Sequence, residues 1–595
     1  IHPRRPPRPI HPELATEGNL ICHHQIRKGD VEAAWAEADV IVEGEYYTPA
    51  QEHAYLQPEA GLAYVDDEGR VAVVVSGQWT WEDRNQIAHA LDLPPEQVRV
   101  IYPAIGGAFG GREDMSVQIV LALAAYKLRR PVKIVWSREE SIRGHCKRHP
   151  MWLHCKWGAT REGKLVAAAV HVIADGGAYC YTTNKVLGNT VITCTGPYEI
   201  PNVRVDADGV YTNNLPSGAF RGFGAPQGIF AAEMQMNKLA HALGMDPVEL
   251  RMRNLLRDES LTAMGTPLPG GVSLVQVTEQ CARAAGWKQT AEGWQKPVVS
   301  NQKPGSGWGL AVALKNIGFS FGYQENCWVR VELRGQAEIA EATVYIGAAE
   351  VGQGSHTVIQ QMTAQALDVP LERVRVIASD TATSPGSAGS VSASRMTFMA
   401  GNAVRGAAAA ALDRWQDEER PASAEYTYLA PKTTPFDPET GHGVPNFAYG
   451  YVAQAVQVEV DAETGQLHIR RVVCADDVGR AINPQQVEGQ IEGGVVQAVG
   501  WATCENFIAE DGRVLTPHLS TYLIPTISDV PDQVESLIFE QADPRGPWGA
   551  RGMGEMPFLP LAPALVAAVH DATGVWFDEL PLTPERVLRA LQRAS

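Results

Sequence analysis

An internal repeat is the feature of this sequence that most constrains its fold. The string LDLPPEQVRVI, which begins at Leu91, and the string LDVPLERVRVI, which begins at Leu367, share eight of eleven residues. Each string follows a glutamine beside glycine, Gln78 or Gln353, by 13 or 14 positions. The short string alone could simply end a helix and start a strand, as proline often does, but the longer shared order favours duplication. We therefore expect two similar halves that face each other.

The repeat extends to the order of predicted strands and helices. In the first copy, a strand at residues 71–75 precedes a helix that ends near Leu91, and a capping pattern at residues 80–83 opens that helix. A strand at residues 98–102 follows. The second copy repeats this order with a strand at 343–346, a helix that ends near Leu367 and a strand at 374–377.

Loops of small residues follow this unit in both copies. Residues 106–111 (GGAFGG) precede a helix predicted at 115–128, and the glycine- and serine-rich residues 384–390 precede a helix predicted at 396–415. A helix N-terminus presents free backbone N–H groups and the positive end of the helix dipole, and both favour an anion. The loops therefore predict an anionic, phosphate-bearing ligand between the halves.

Length and charge limit the class of protein. A chain of 595 residues is long enough for two domains, and we place them at residues 51–285 and 286–595, after a connecting segment at 1–50. The net charge of −18 disfavours a nucleic-acid partner, which would require a clustered basic face. The apolar run at 119–128 is too short to span a bilayer.

The cysteines and the first residues bear on compartment and completeness. Nine cysteines are scattered without a CxxC pair, so the chain encodes neither an iron–sulfur cluster nor a structural zinc site. This usage favours a reducing, cytoplasmic compartment. The chain begins without an initiator methionine or a signal-peptide core, and we expect that an upstream domain is missing or is carried on another chain.

Two carboxylates on glycine loops are candidates for catalysis. Glu113 stands two residues after GGAFGG, and Glu555 lies in GMGEMP, between Gly554 and an apolar stretch. A partly buried Glu555 would suit a general base, but the same position could also cap the next helix or lie on a surface loop. GGAFGG is not GxGxxG, and no acidic residue follows it at the distance that holds a ribose, so an ordinary nicotinamide dehydrogenase is not supported.

Five strings in a fixed order carry a family resemblance. They are GGAFGGRE at Gly106, LPSGAFRGFGAPQ at Leu215, EVGQGSHT at Glu350, GRAINPQQVEGQIEGGVVQ at Gly479 and GARGMGE at Gly549. As a set, they resemble the molybdopterin-binding subunit of the xanthine dehydrogenase and aldehyde oxidase family. The resemblance implies an α+β fold in which two stacked, mixed α/β domains, related by the internal duplication, hold the cofactor between them.

The resemblance also assigns cofactor contacts to both halves. Molybdenum is held by the dithiolene of a pyranopterin, and no direct protein ligand is implied. Gln78 would bind an oxo ligand of the metal, Phe109 and Gly110 would supply backbone donors beside it, and Arg221 would anchor the neighbouring loop. The pterin and its phosphate would be held by Gly352, Gln353, Gly389, Ser390, Ser392 and Gln490.

Glu555 matches the catalytic glutamate of the family. In that role it takes a proton from metal-activated water, whose oxygen attacks an electron-poor carbon. The carbon monoxide branch of the family needs a cysteine in the loop GAFRGFGAP, which has none, so we exclude that branch.

The substrate side is implied by four further residues. Phe223 and Phe321 match aromatic residues that sandwich a flat ring, for which ordinary core packing is the alternative. Glu113 matches a glutamate that binds a purine. Where purine oxidases carry a substrate-facing arginine, a gap-free count from Arg221 leads to Asn189, whose neutral amide cannot offset negative charge on an oxyanion. A neutral N-heterocycle or an aldehyde is therefore expected at least as much as xanthine.

Electrons must leave through groups that this chain does not encode. We therefore expect a [2Fe-2S] subunit and an FAD subunit as partners, in a dimer of heterotrimers. The loop GSVSASR, which begins at Gly389, resembles members that use the cytosine dinucleotide form of the cofactor. The alternative is a cofactor-binding or assembly protein that keeps the fold but performs no turnover.

Overall fold

Strands and helices alternate along both halves of the chain, and the computed structural model describes residues 18–297 and 305–594. The first half contains, in chain order, β1 (Leu20–Lys28), α1 (Val31–Ala34), β2 (Val40–Thr48), β3 (Ala60–Val65), β4 (Val71–Val75), α2 (Thr80–Leu91), β5 (Val98–Ile101), α3 (Gln118–Leu128), β6 (Val132–Val135), α4 (Arg138–Gly144), β7 (Lys147–Arg148), β8 (Met151–Ala159), β9 (Leu165–Gly177), α5 (Thr183–Thr193), β10 (Asn202–Tyr211), β11 (Ser217–Gly218), α6 (Ala225–Leu243), α7 (Pro247–Asn254), α8 (Leu274–Ala285), β12 (Lys288–Thr290) and β13 (Gly293–Gln295). The second half contains β14 (Ser306–Ile317), β15 (Asn326–Gly335), β16 (Ile339–Ile346), α9 (Ser355–Leu367), β17 (Val374–Ala378), α10 (Met396–Gln416), β18 (Ala422–Leu429), β19 (Ala448–Val460), β20 (Leu467–Asp477), α11 (Pro484–Thr503), β21 (Ala509–Glu510), β22 (Arg513–Val514), β23 (Gln533–Phe539), α12 (Leu561–Thr573) and α13 (Pro584–Ala594).

Two small sheets are copies of one another. One has the strand order β5-β4-β3-β6 and the other has the order β17-β16-β15-β18. In both sheets the first pair is parallel and the other two pairs are antiparallel, and α2 or α9 makes the crossover between the parallel strands. The internal duplication predicted from the sequence is confirmed.

The duplication also includes the two larger sheets. Strands β2, β8, β9 and β10 run in the same order and directions as β14, β19, β20 and β23, and β1 is added at the edge of the first sheet. Helices α5 and α11 connect the parallel pairs. Helix α6 packs on β2 and β8, whereas α12 packs on β14 and β19. Each half is therefore one copy of the same two-sheet unit.

The second large sheet is covered on both faces, and its central strands are apolar along almost their whole length. Residues 307–317 of β14 and 448–456 of β19 are all buried. Continuous burial, rather than alternation, is what a sheet between two layers requires. A charged residue in such a strand, here Lys315, stands out because a buried charge is costly unless it is paired.

The structure departs from the sequence predictions in detail. The capping pattern at residues 80–83 is wrong, because Trp79 is the N-cap, the Thr80 hydroxyl donates to the Gly347 carbonyl at 2.9 Å, and Asp83 accepts from the Tyr102 hydroxyl at 2.7 Å. The helix predicted at 115–128 begins three residues later, at Gln118.

The predicted connecting segment contributes two strands to the fold. Of residues 1–50, those at 20–28 and 40–48 form β1 and β2, while residues 1–17 lie outside the described part of the chain. Residues 298–304 and 595 also lie outside it, so the domain limits at 51–285 and 286–595 stay a prediction. None of the helices in the described ranges combines the length and the apolar character that crossing a bilayer requires.

Candidate active site

A cavity of about 880 Å³ lies between the two copies and is lined by loops from both. It brings together residues that are hundreds of positions apart in the chain. Of the residues singled out from the sequence, those that line it are Gln78, Phe109, Gly110, Glu113, Arg221, Phe223, Gly352, Gln353, Ser392, Gln490 and Glu555.

Glu555 is held at this cavity by two neutral donors. The residue is 9% exposed, its Oε1 accepts from the Gly222 N–H at 3.0 Å, and its Oε2 accepts from the Ser394 hydroxyl at 3.2 Å. Its loop passes so close to residue 394 that a Cβ added at Gly552 would lie 1.5 Å from the Ser394 carbonyl oxygen, so only glycine fits there. The carboxylate is therefore fixed by contacts with both copies.

Arg221 connects three segments of the cavity wall. Its Nε donates to the Gly554 carbonyl at 2.6 Å, and its Nη2 donates to the backbone carbonyl and the side-chain Oε1 of Gln490 at 3.0 and 3.1 Å. Its backbone N–H donates to the Phe109 carbonyl at 2.8 Å. Burial lowers the pKa of Arg221 to about 10, so the guanidinium stays charged at neutral pH. The arginine thus orders the loop that carries Glu555.

Three phenylalanines near the cavity have left-handed backbones. The φ angles of Phe109, Phe223 and Phe321 are 54°, 49° and 51°, and Ser394 has a φ of 54°. Bulky residues rarely adopt this region, and such outliers persist where the surroundings hold a functional geometry. Gly110 next to Phe109 has a φ of 104°, and a Cβ there would lie 2.8 Å from the Ala219 carbonyl oxygen.

Free backbone donors and one helix N-terminus fit a large anionic cofactor. Within the described residues, the N–H groups of Phe109 and Gly110 donate to no protein acceptor. Met396 and Thr397, the first residues of α10, line the cavity, and no side chain caps that helix. Its first N–H groups are therefore available to a phosphate.

The two other helix N-termini near the glycine loops do not offer such donors. Helix α3 begins at Gln118, which lies outside the cavity wall, so the prediction that the loop 106–111 leads into an anion-binding helix end is wrong. At α9, the Glu350 carboxylate already accepts from the N–H groups of Gly352, Gly354 and His356 at 2.9, 2.8 and 3.0 Å.

Glu113 is held by the serine loop of the opposite copy. Its carboxylate accepts from the hydroxyls of Ser390 and Ser392 at 2.8 and 3.3 Å and from the Gln78 amide at 3.2 Å. Burial raises its pKa, and the two serine hydrogen bonds oppose that rise. Gln78 also donates to the Val391 carbonyl at 3.1 Å, so its amide joins the halves.

Four of the singled-out residues lie off the cavity wall: Gly389, Ser390, Asn189 and Phe321. Gly389 sits against the Arg395 guanidinium, and Phe321 packs edge-on against Phe436 with ring centroids 5.2 Å apart. Asn189 is buried on α5, and neither polar atom of its side chain has a hydrogen-bond partner among the described residues.

Several residues at the site were missed from the sequence. Lys315 Nζ lies 3.7 Å from Glu555 Oε2, and Ser394 contacts the same oxygen. Glu505 lines the cavity, accepts from Gln51 Nε2 at 3.1 Å, and has its pKa raised by burial to about 8. A signal existed for Lys315, because a lysine inside the apolar string GLAVALKNI is anomalous.

Comparisons with known proteins agree with this geometry. One profile described as a molybdopterin cofactor-binding domain matches residues 10–255, and a second with the same description matches residues 280–420 and 408–531. The xanthine dehydrogenase molybdenum-binding subunit of Escherichia coli O157:H7 is 32% identical, over 99% of this chain and 81% of its own length. The nicotinate dehydrogenase large molybdopterin subunit of Eubacterium barkeri is 46% identical, over 46% of this chain and 64% of its own length.

The fold is also similar to a solved enzyme structure. The aldehyde oxidoreductase of Desulfovibrio gigas matches with a TM-score of 0.90 and 29% identity over 98% of this chain. The chain spans 64% of the length of that enzyme.

Proposed function

Since the chain belongs to the xanthine dehydrogenase family as a molybdopterin-binding large subunit of a molybdenum hydroxylase, we propose that it oxidises an electron-poor carbon of an N-heterocycle or an aldehyde with water. The observation that carries the proposal is the position of Glu555. Its carboxylate lies in one cavity with the free backbone donors of Phe109 and Gly110, which come from the other copy.

Residues of both copies are proposed to hold the cofactor. The N–H groups of Phe109 and Gly110 would donate to it on one side, while the start of α10 would bind its phosphate and Gln490 would contact the pterin. We propose the cytosine dinucleotide form because the loop GSVSASR at 389–395 resembles that of members that use it. When bound, the cofactor activates a water molecule as the nucleophile and accepts two electrons.

The proposed work of the chain itself is proton transfer and orientation. Glu555 Oε accepts the proton of the attacking water, while Gly222 and Ser394 keep the carboxylate aimed at the cavity. Arg221 holds the carbonyl of Gly554, the residue directly before Glu555. Phe223 on the cavity wall would exclude water and stack on a flat substrate.

The substrate is proposed to be a ring that is neutral where it faces α5. Asn189 supports this, because a buried amide with unpaired polar atoms suits a neutral donor and acceptor better than an oxyanion. Glu113 and Phe321 are the other proposed substrate contacts. These contacts require side-chain movements, since Glu113 is bonded to serines, and Asn189 and Phe321 lie off the cavity wall.

Iron–sulfur and FAD subunits are the proposed electron acceptors, in a dimer of heterotrimers. The relatives from Escherichia and Eubacterium are themselves named as subunits. At the cavity rim, Leu56 is 88% exposed, and Ile527, close to the lining residue Pro525, is 86% exposed. We propose that a partner subunit covers these two side chains.

A substrate panel tests the proposal. The purified protein, with its molybdenum content measured, is mixed with an electron-accepting dye and with hypoxanthine, xanthine, nicotinate or benzaldehyde. Dye reduction with one of these substrates, together with a substrate-dependent change in visible absorption, is expected. Molybdenum that stays bound while no substrate reduces it would favour a storage or assembly protein instead.

A further inference from the structure

Lys315 is a completely buried lysine beside the proposed base. It lies near the end of β14, is 0% exposed, and places Nζ 3.7 Å from Glu555 Oε2. Nζ also donates to the side-chain Oδ1 of Asn316 at 2.7 Å and to the Asn316 carbonyl at 3.2 Å. A lysine in a closed apolar strand needs a counter-charge, and one direct candidate lies at the cavity.

The other acid that acts on Lys315 is already neutralised. Glu325 forms an ion pair with Arg395, whose Nε lies 2.6 Å from its Oε2. Its second oxygen accepts from the N–H groups of Phe319 and Ser320 at 2.9 Å. Burial lowers the pKa of Lys315, and Glu555 opposes that effect more than Glu325 does. Glu555 is therefore the counter-ion of the lysine.

Lys315 does not touch the reaction space. Among the described residues that line the cavity it is absent, whereas Glu555 is present. The lysine can thus act on a substrate only through the carboxylate. Its ammonium group meets Oε2, the same oxygen that Ser394 contacts, and leaves Oε1 to the Gly222 N–H.

We propose that Lys315 is a positioning residue that pairs with the Glu555 carboxylate and orients it toward the cavity, so that it can accept a proton. The inference rests on the proposed role of Glu555 as the base. Two other cations act on Glu555 from further away, Arg221 in the loop before α6 and Arg148 in β7. The guanidinium groups of both arginines donate to backbone carbonyls. Lys315 is therefore the cation that lies nearest to the Glu555 carboxylate.

The sign of the expected effect follows from charge. An ammonium within about 4–6 Å stabilises a carboxylate, typically by roughly one to three pH units in its titration. Replacing Lys315 with methionine removes that stabilisation. In that variant the acidic limb of the profile of kcat/KM against pH is therefore expected to move upward.

The experiment measures this limb in the intact, molybdenum-loaded protein. Lys315→Met is expected to shift it upward, and Lys315→Arg is expected to return it toward its original position. Lys238→Met is the matched control, since Lys238 forms an ion pair with Asp578 at 2.7 Å, does not line the cavity and is expected to leave the limb in place. A folded, loaded Lys315→Met with an unmoved limb would overturn the inference.

A second measurement does not depend on the stability of that variant. The carboxyl infrared band that disappears in Glu555→Gln is compared between the wild-type protein and Lys315→Arg, and its frequency is expected to shift because the cation contacts Oε2. An unshifted band in Lys315→Arg would also refute the inference. Failure of the proposed function gives a different result, because the wild-type protein then reduces no dye with any substrate.

Discussion

The two copies of the two-sheet unit have the same scaffold but differ in charge at the cavity. In each copy an Arg-Gly-x-Gly string precedes the helix that packs on the large sheet: Arg221 to Gly224 before α6, and Arg551 to Gly554 before α12. The next residue is Ala225 in the first copy and Glu555 in the second. The proposed base thus occupies a position that is apolar in its counterpart.

The residues that follow the crossover helices also differ in charge between the two copies. Helix α5 ends at Thr193 and is followed by Cys194 and Thr195, whereas α11 ends at Thr503 and is followed by Cys504 and Glu505. The first copy supplies Glu113, aromatic residues and free backbone donors, while the second supplies Glu555, Glu505 and an uncapped helix end. Duplication therefore accounts for the cavity, and a few loop substitutions account for its chemistry.

The largest loss of kcat is expected at residue 555, where the two copies differ. Glu555→Gln should lower kcat by about 10²–10⁴-fold with molybdenum still bound, because the amide keeps the shape but accepts no proton. The matched control is Ala225→Ser at the corresponding position of the first copy, which should change kcat little. Steady-state dye reduction measures both. If Glu555→Gln retained near-normal turnover, the assignment of the base would be lost.

We expect the two arginines of the repeated string to have different roles, Arg551 in stability and Arg221 in catalysis. Arg551 is buried, with Nη1 3.1 Å from Asp477 Oδ2 and Nε 3.3 Å from Asp543 Oδ2. Arg551→Met leaves buried carboxylates unpaired and should lower the free energy of unfolding by about 3–5 kcal/mol. Arg221 donates to carbonyl groups, so Arg221→Met should lower kcat more than stability.

Urea unfolding and kcat, measured on the same preparations, check this contrast. Equal losses of unfolding free energy in the two variants would mean that the arginines play the same part in both copies.

Much of the scaffold was predictable because it depends on local patterns. The shared string at Leu91 and Leu367 predicted the duplication, which the parallel strand pair of each small sheet displays. The capping pattern at Thr80 failed because a tertiary contact with Gly347 took the hydroxyl. Local propensity could not anticipate a partner 267 residues away.

The site was predictable in part, through family strings rather than through geometry. Those strings led to Glu555 and Arg221, which meet through the Gly554 carbonyl. They could not reveal Lys315, because its significance depends on the distance between β14 and a loop some 240 residues later. Ser390 was expected at the cofactor, but its hydroxyl bonds Glu113, a pairing across the copies that no short string encodes.

The second acid, Glu505, is buried at the cavity and corresponds to Thr195. We expect the smallest effect here, a change in how the free energy of unfolding depends on pH. Burial raises its pKa from 4.5 to about 8, so between these values the folded protein holds a proton that the unfolded chain has released. The stabilisation linked to this proton is complete below pH 4.5 and is lost as the pH rises through 8. Glu505 should therefore make the protein less stable as the medium becomes more basic.

Glu505→Gln removes this titration. It also gives the second copy a neutral residue at this position, as Thr195 does in the first copy. Between pH 6 and pH 8 the wild-type protein should lose about 2 kcal/mol more unfolding free energy than the variant does. Urea unfolding at several pH values measures the difference, and Thr195→Val should leave the wild-type slope intact because threonine does not titrate. Parallel slopes for wild type and Glu505→Gln would mean that Glu505 is ionised in the folded protein, so that both copies present their residue here without a bound proton.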